Sequence, residues 1–205
     1  MLLQPKPVPG PTAEPSEYSP EERRALLRLA RQAMQAALVG DQPELSAPSH
    51  HLAQPRGAFT TLHLDGKLRG CVGYVFPVRP LYRTVVETAV AAALNDPRFL
   101  PVIPEEFLDL EIEISVLSMV AAIAPADLEI GRHGVLITYG ARRGLLLPQV
   151  ALEYGWDATR FLAETCQKAG LPPDAWENDA TVEAFTAEVF SEAEFADLAS
   201  AVSAL

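Results

Sequence analysis

Apolar residues recur at helical spacing in several stretches of the chain. Ser19 and Glu22 form a capping box at the start of the first stretch, and Gly40 follows its last apolar positions. A second stretch begins at Pro80 and runs to about Leu94, and a proline three residues later forces the chain out of the helix. These patterns predict two long helices, with a segment of different periodicity between them.

Strand-like alternation surrounds the turn dipeptide Asp65-Gly66. The flanking segments Ala58 to Leu64 and Lys67 to Tyr74 predict a hairpin. Apolar residues alternate with polar ones from Leu110 to Val116, as in a half-buried antiparallel strand, and another hairpin is predicted around Gly140 to Gly144. Hairpins outnumber strand–helix–strand units, so the expected fold class is α+β, with a largely antiparallel sheet flanked by helices.

The two ends of the chain have patterns of their own. The segment from Met1 to about Ser19 is rich in proline, which predicts an extended, flexible tail. Residues 20–205 then remain for a single domain. Thr181 to Phe190 is predicted to be a last strand, and the residues after Ser191 a terminal helix.

The motif Leu68-Arg69-Gly70-Cys71-Val72-Gly73 lies in the second strand of the first predicted hairpin. Arg69 and Cys71 are two residues apart, so their side chains are expected on one face of the strand. Gly70 and Gly73 weaken a strand and usually indicate that another group approaches the backbone closely. The motif is therefore interpreted as the outline of a small binding or reaction site.

The two-residue turn also predicts how the hairpin strands pair. Thr60 should lie opposite Cys71 and Leu62 opposite Arg69, and opposed residues share a face. His63 should then point to the other face of the sheet. Because a thiol nucleophile normally needs a base, this register counts against catalysis by Cys71 together with His63.

Charge and cysteine content exclude several classes of protein. The net charge of −11 over 205 residues disfavours non-specific binding to nucleic acid or to an anionic membrane. Two cysteines fit a reducing compartment better than a disulfide framework. No apolar run approaches the ~20 residues of a membrane span, and no signal-peptide pattern begins the chain. The sequence therefore predicts an acidic, soluble, cytoplasmic protein.

The residue pattern offers no support for a bound cofactor. The cysteines are too few for an iron–sulfur centre, and there is no phosphate loop or dinucleotide-binding glycine fingerprint. The four histidines show no zinc-binding spacing. We therefore expect no cofactor and no metal site of its own.

Six separated motifs occur in the order found in one known family. They are Leu68 to Gly73, Asn95 to Phe99, Ile112 to Ser118, Arg132-His133-Gly134, Leu145 to Val150, and Cys166 to Leu171. On these motifs the chain resembles the AMMECR-type family, named after the AMME syndrome candidate region. Ordered agreement over several motifs is far more specific than one short match.

The resemblance covers roughly Pro20 to Ser191 and departs mildly at Val72, where the family usually has isoleucine. It implies a two-lobed α+β fold with a cleft beside the central motif. It also implies, in prokaryotes, association with a Memo-like protein and a radical-SAM protein. The biochemical activity of the family is unsettled, so the resemblance informs the fold more than the function.

Cys71 has two interpretations. It could be a nucleophile whose thiolate is favoured by Arg69, with His133 as a candidate base. It could instead be a packed thiol, as free cysteines usually are, and this alternative is favoured. Cys166 shares a helical face with Leu162 and is predicted to lie in the core. If the site is functional, one concavity should gather Arg69, Cys71, Asn95, Arg98 and His133.

The two arginines near the motif also have two interpretations. Arg69 and Arg98 could hold a small anionic ligand, because guanidinium groups bind carboxylates and phosphates with two prongs. They could instead form structural ion pairs, such as Arg98 with Asp96 or Arg69 with a glutamate of the sheet, and this alternative is slightly favoured. The candidate substrate-binding residues are Gly70, Gly73, Asn95, Arg98 and Gln149.

Three functional hypotheses remain. The resemblance favours an accessory or substrate-binding component that acts with Memo-like and radical-SAM proteins. The second hypothesis is a stand-alone enzyme in which Cys71 is the nucleophile and Arg69 and Arg98 bind an anionic substrate. The third is a non-catalytic scaffold whose glycine-rich hairpin serves only packing.

Overall fold

The computed structural model of the chain describes residues 16–41 and 46–195. Residues 1–15 of the predicted tail and residues 196–205 of the predicted terminal helix lie outside the described residues. The described chain falls into two units. The first unit contains Tyr18–Ala121 and the described residues from Phe185 onward, and the second unit contains Ala122–Ala184.

Helices and strands alternate irregularly along the chain. The helices are α1 (Pro20–Leu38), α2 (Leu81–Leu94), α3 (Pro104–Phe107), α4 (Pro148–Tyr154) and α5 (Ala158–Lys168). The strands are β1 (Ala58–Leu64), β2 (Lys67–Tyr74), β3 (Leu110–Leu117), β4 (Ala121–Ala122), β5 (Gly134–Tyr139), β6 (Arg142–Leu146), β7 (Thr181–Phe185) and β8 (Ala187–Ser191).

The strands form two four-stranded sheets. One has the order β2-β1-β3-β8, and the other has the order β4-β7-β5-β6. The pairs β1–β2, β1–β3, β3–β8 and β5–β6 are antiparallel. The α+β class expected from the sequence is confirmed.

The single strand predicted from Thr181 to Phe190 is wrong. The chain forms β7 and β8 there, which belong to different sheets and are separated at Thr186. Ala184 and Phe185 are both buried, whereas a continuous half-buried strand would bury alternate residues only. The Thr186 N–H instead donates to Ser118 Oγ at 2.9 Å, and the Thr186 carbonyl oxygen accepts the Ser118 N–H at 2.9 Å.

The capping box predicted before the first helix is present. The Ser19 hydroxyl accepts the Glu22 N–H at 3.2 Å, and the Glu22 carboxylate accepts the Ser19 N–H at 3.2 Å. These bonds satisfy two of the donors that a helix start leaves unpaired. The apolar stripe that follows is fully buried at Leu26, Leu27 and Met34, so α1 begins at a defined residue and packs one face into the core.

The core of the first unit lies between the helices α1 and α2 and one face of the sheet. Leu62 of β1 and Ile112 and Ile114 of β3 are fully buried there. The intervening residues of β1 are only partly buried, because successive side chains of a strand point to opposite faces. We call the side that carries Thr61 and His63 the far face, since it is opposite the helices.

The second unit has a separate core around α5. Phe161 and Cys166 are fully buried in it, so the prediction that Cys166 is a core residue is confirmed. Burial raises the pKa of the Cys166 thiol. The turn of the β5–β6 hairpin is shorter than predicted, because Tyr139 pairs directly with Arg142. Gly144 belongs to β6, where an added Cβ would lie 2.4 Å from the carbonyl oxygen of Thr165 in α5.

A buried ion pair links α1 to the residues after β8. The Arg31 Nε and Nη2 atoms lie 2.7 Å and 2.5 Å from the two carboxylate oxygens of Glu192. Glu192 also accepts the Ile112 N–H at 3.0 Å, and Arg31 donates to the backbone oxygens of Phe107 and Leu110. The pair therefore holds a helix, a strand and the chain after β8 together.

Residues 16–41 and 46–195 offer neither a membrane span nor a cluster of metal ligands. No helix in these ranges is long and apolar enough to cross a membrane. The same ranges contain no group of three or more His, Cys, Asp or Glu side chains placed to hold a metal ion.

Candidate functional site

A β-bulge in the β1–β2 hairpin changes the register that the sequence predicted. The Asp65-Gly66 turn is present, with positive φ angles of 51° and 71°, and Leu64 pairs with Lys67. The register then shifts by one residue, so that Leu62 lies opposite Gly70 and Arg69 is the extra residue.

The packing of α2 against β2 explains the bulge. A Cβ on Gly70 would lie 2.2 Å from the carbonyl oxygen of Ala92, so only glycine fits at this position. In the predicted register, Arg69 would have faced α2 opposite Leu62. The extra residue moves Arg69 away from this position and puts Gly70 there instead.

The predicted pairing of Thr60 with Cys71 is therefore wrong. Thr61 lies opposite Cys71, whereas Thr60 lies opposite Val72 and is buried with its hydroxyl 2.8 Å from that of Thr88. Thr61 and His63 share one face of β1, so His63 is on the Cys71 face. The prediction that His63 points away from Cys71 is also wrong.

Cys71 is held by both its side chain and its main chain. The Thr61 hydroxyl donates to Cys71 Sγ at 3.4 Å. The Cys71 N–H donates to Asp96 Oδ2 at 2.8 Å, and Arg98 Nη2 donates to the Cys71 carbonyl oxygen at 3.2 Å. β2 is at the edge of its sheet in the described part of the chain, so Asp96 and Arg98 bond main-chain groups that no described strand reaches.

The Asp96–Arg98 pair is strong and lies beside the thiol. Arg98 Nε and Nη2 lie 2.9 Å and 2.7 Å from the two oxygens of Asp96. These hydrogen bonds hold the pKa of the Asp96 carboxyl far below its ordinary value, although burial acts in the opposite direction. The pKa of Arg98 is raised, chiefly by the hydrogen bond to Asp96, with a smaller contribution from the charge of a Cys71 thiolate. The cation beside the thiol is thus Arg98.

Arg69 has a different partner from the one expected. Its Nε and Nη2 atoms lie 3.1 Å and 2.8 Å from the Glu106 carboxylate, which belongs to α3 and not to the sheet. These bonds lower the pKa of Glu106. The guanidinium carbon lies 6.0 Å from the centre of the Phe99 ring, and the buried Nη1 has no hydrogen-bond partner among the described residues. Two of the three guanidinium nitrogens of Arg69 are therefore already hydrogen-bonded to Glu106.

The remaining candidates of the first unit lie on the same two segments. A Cβ on Gly73 would lie 2.2 Å from the Phe59 ring, so protein groups crowd this glycine as they crowd Gly70. Asn95 ends α2, where its N–H donates to the Ala91 oxygen at 2.8 Å, and it directly precedes Asp96. The hairpin and the segment after α2 thus bring Arg69, Gly70, Cys71, Gly73, Asn95 and Arg98 into one unit.

His133 and Gln149 belong to the second unit. The Nδ1 atom of His133 accepts the Glu129 N–H at 3.1 Å, and the side chain is half-buried. Gln149 lies in the first turn of α4 and is also half-buried. Their approach to Cys71 stays a prediction.

Sequence reasoning missed Thr61, His63 and Glu113. Glu113 of β3 lies opposite Thr61 on the far face, and burial raises the pKa of its carboxyl. The alternation along β3 already indicated which face Glu113 occupies. His63 was missed because the sequence pattern did not predict the bulge. One indication of the bulge was present in the sequence, since the unbulged register would turn the Arg69 side chain towards a helix.

Replacing Asp96 with asparagine is expected to lower the free energy of unfolding by about 2 kcal/mol at pH 7, because a buried, hydrogen-bonded charge is lost. The pKa of Asp96 is depressed in the folded protein, so its contribution is present above the unfolded value of about 4 and lost as the pH falls further. Denaturant unfolding should therefore show a deficit that shrinks below about pH 4. Asp109→Asn, at an exposed position, serves as the control. A deficit that stays constant down to pH 2 would contradict this role.

Comparison with known proteins supports the fold. A protein of Methanothermobacter thermautotrophicus is 44% identical over 190 residues, which cover 86% of this chain and 98% of the relative. A Methanopyrus kandleri protein is 45% identical over 186 residues, covering 85% and 90%. The crystal structure of an uncharacterized protein from Pyrococcus horikoshii superposes with a TM-score of 0.74 at 41% identity, covering 82% of this chain and 89% of that one.

The family itself is shown by a family model. The AMMECR1 model matches residues 27–190, which include the bulged hairpin, the Asp96–Arg98 pair and all of both sheets except the last residue of β8. This range lies within the region over which the motifs indicated a resemblance. The chain therefore belongs to the AMMECR1 family.

Proposed function

We propose that this protein is a cytoplasmic accessory component that binds a substrate at Cys71 and acts together with a Memo-like protein and a radical-SAM protein. Membership of the AMMECR1 family supports the choice of partners. The two free cysteines fit a reducing compartment. The substrate site comprises Cys71, Arg69, Gly70, Gly73, Asn95 and Arg98, with His133 and Gln149 as further candidates from the second unit.

The observation that carries this proposal is the way Cys71 is held. Its N–H, its carbonyl oxygen and its sulfur each have a partner in the first unit, and the side chain is still partly exposed. A thiol fixed in this manner is preorganised for a ligand, because little conformational freedom is left to lose on binding.

The pairing of the two arginines weighs against the stand-alone enzyme with an anion clamp. The Glu106 carboxylate accepts hydrogen bonds from Nε and Nη2 of Arg69, and the Asp96 carboxylate accepts them from Nε and Nη2 of Arg98. An anionic substrate would have to compete with these carboxylates. The Arg98 side chain is 54% exposed, however, so a small anionic ligand can still approach its guanidinium from solvent.

The test is reconstitution with the Memo-like and radical-SAM proteins of the same genome. We expect the three proteins to co-elute in size-exclusion chromatography and the partners to protect Cys71 from alkylation. Arg98→Gln should weaken that protection, whereas Arg160→Gln, which removes an exposed helical ion pair with Glu164 in the second unit, should not. Separate elution at about 10 μM of each protein, together with unprotected Cys71, would refute the proposal.

A further inference from the structure

Three neighbouring strands place chemically active side chains in one row on the far face. Cys71 of β2 lies opposite Thr61 of β1, and Thr61 lies opposite Glu113 of β3. The Thr61 hydroxyl already donates to the sulfur of Cys71 at 3.4 Å. Directly opposed residues have neighbouring side chains, so the thiol, the hydroxyl and the carboxyl follow one another across the sheet.

His63 lies beside this row. It is two residues beyond Thr61 on β1, which makes it a diagonal neighbour of both Cys71 and Glu113. Diagonal positions on one face are about 7–8 Å apart, within reach of a ring or a long side chain. The β-bulge at Arg69 creates this arrangement, because the unbulged register would put His63 and Cys71 on opposite faces.

Two carboxylates of β3 neighbour the imidazole of His63 on the far face. Glu111 lies directly opposite His63, and Glu113 is its diagonal neighbour. Glu194, in the turn after β8, acts electrostatically on Glu113, as His63 and Glu111 do. The positive group on the other side of the thiol is Arg98, which bonds the Cys71 carbonyl oxygen and is itself paired with Asp96.

We propose that Cys71 is a nucleophile whose proton is accepted by His63, and that Glu113 is a positioning residue for the imidazole. The S–H bond breaks, the electron pair stays on sulfur and the proton moves to a ring nitrogen of His63. The Thr61 hydroxyl and the Arg98 guanidinium then face the thiolate. The thiolate attacks a small molecule with an electrophilic carbon, forming an S–C bond while the leaving group departs with its electron pair.

A purely structural role makes a different prediction. The cross-strand pair of His63 with Glu111 could stabilise the sheet with no effect on the thiol. In that case, substituting His63 would change stability and leave the reactivity of Cys71 per folded molecule unchanged. The test therefore has to measure proton transfer and not only folding.

The experiment is alkylation of the full chain with iodoacetamide, followed by mass spectrometry. An S–C bond forms, and iodide leaves with the electron pair of the C–I bond. Cys166 is the internal reference, because it is fully buried and should stay unlabelled while the protein is folded. At pH 7, His63→Gln should slow labelling of Cys71 about tenfold and Glu113→Gln about threefold. The exposed His50→Gln is the matched control.

Two further measurements separate a base from a structural residue. The deficit of His63→Gln should shrink towards pH 10, because hydroxide then removes the thiol proton without help. Added imidazole should partly restore the rate of His63→Ala at pH 7. Equal rates of the wild type and His63→Gln at pH 7, or a deficit that is the same at pH 10, would overturn the proposal.

This inference concerns the same site as the proposed function, but its test needs neither partner protein. If alkylation of Cys71 depends on His63 but the three proteins elute separately, only the proposed function is refuted. If the three proteins co-elute but the labelling rate of Cys71 is the same with and without His63, only this inference is refuted.

Discussion

Replacing Glu192 with alanine is expected to lower the free energy of unfolding by about 3–5 kcal/mol, the usual cost of removing one partner of a buried ion pair. Glu192 is 7% exposed and binds both Nε and Nη2 of Arg31. Without its carboxylate, the Arg31 guanidinium keeps the backbone oxygens of Phe107 and Leu110 as acceptors but has no opposite charge from Glu192, and the buried Ile112 N–H loses this acceptor. An uncompensated charge and an unpaired donor thus appear in the same place.

Urea unfolding followed by circular dichroism measures this change. The matched control is Glu194→Ala, two residues away, whose carboxylate is 44% exposed and lies 3.6 Å from an Arg23 nitrogen. An exposed pair of this kind contributes at most about 1 kcal/mol. Similar losses for both variants would show that the chain after β8 is held by something other than the ion pair with Arg31.

Replacing Gly70 with alanine is expected to lower the free energy of unfolding by about 3 kcal/mol, at the upper end of the cost of overpacking a core. The added Cβ would lie 2.2 Å from the Ala92 oxygen and 3.1 Å from its carbonyl carbon. Both atoms are backbone, so relief requires α2 and β2 to move apart. The same movement would shift Asp96, which follows α2 and accepts the Cys71 N–H.

The comparison for Gly70 is Leu68→Ala on the same strand. Leu68 is 43% exposed, and surface substitutions of this kind usually change stability by less than about 0.5 kcal/mol. We also expect Gly70→Ala to slow the labelling of Cys71 in the folded protein, since the contacts that fix the thiol would move. A loss under about 0.5 kcal/mol for Gly70→Ala would mean that the helix and the strand separate easily.

Local signals were sufficient for the start of α1 and for the first hairpin turn, and insufficient for the register of that hairpin. The capping box at Ser19 and the turn at Asp65-Gly66 depend on neighbouring residues only, and both are present. The bulge depends on Ala92, which is more than twenty residues from Gly70 in the chain and touches it only after α2 has packed. Register is decided by such contacts, and a shift of one residue moves every side chain beyond it to the other face.

The site was predicted in part for the same reason. The family motifs pointed to both Cys71 and the segment after α2, and Arg98 does contact Cys71. The partner of Arg69 was misplaced, because the sequence does not reveal that α3 brings Glu106 alongside β2. His63 was assigned to the wrong face because its position relative to Cys71 depended entirely on the missed bulge.

The Asp96–Arg98 pair has a consequence for how other chains meet this sheet. An open edge strand invites strand addition, in which a foreign peptide or a second copy extends the sheet through main-chain hydrogen bonds. The outward N–H and C=O of Cys71 already bond Asp96 and Arg98, so an incoming strand cannot form main-chain hydrogen bonds with them. The edge is thereby protected against aggregation at its centre, and a partner that reaches Cys71 has to recognise side chains instead of backbone.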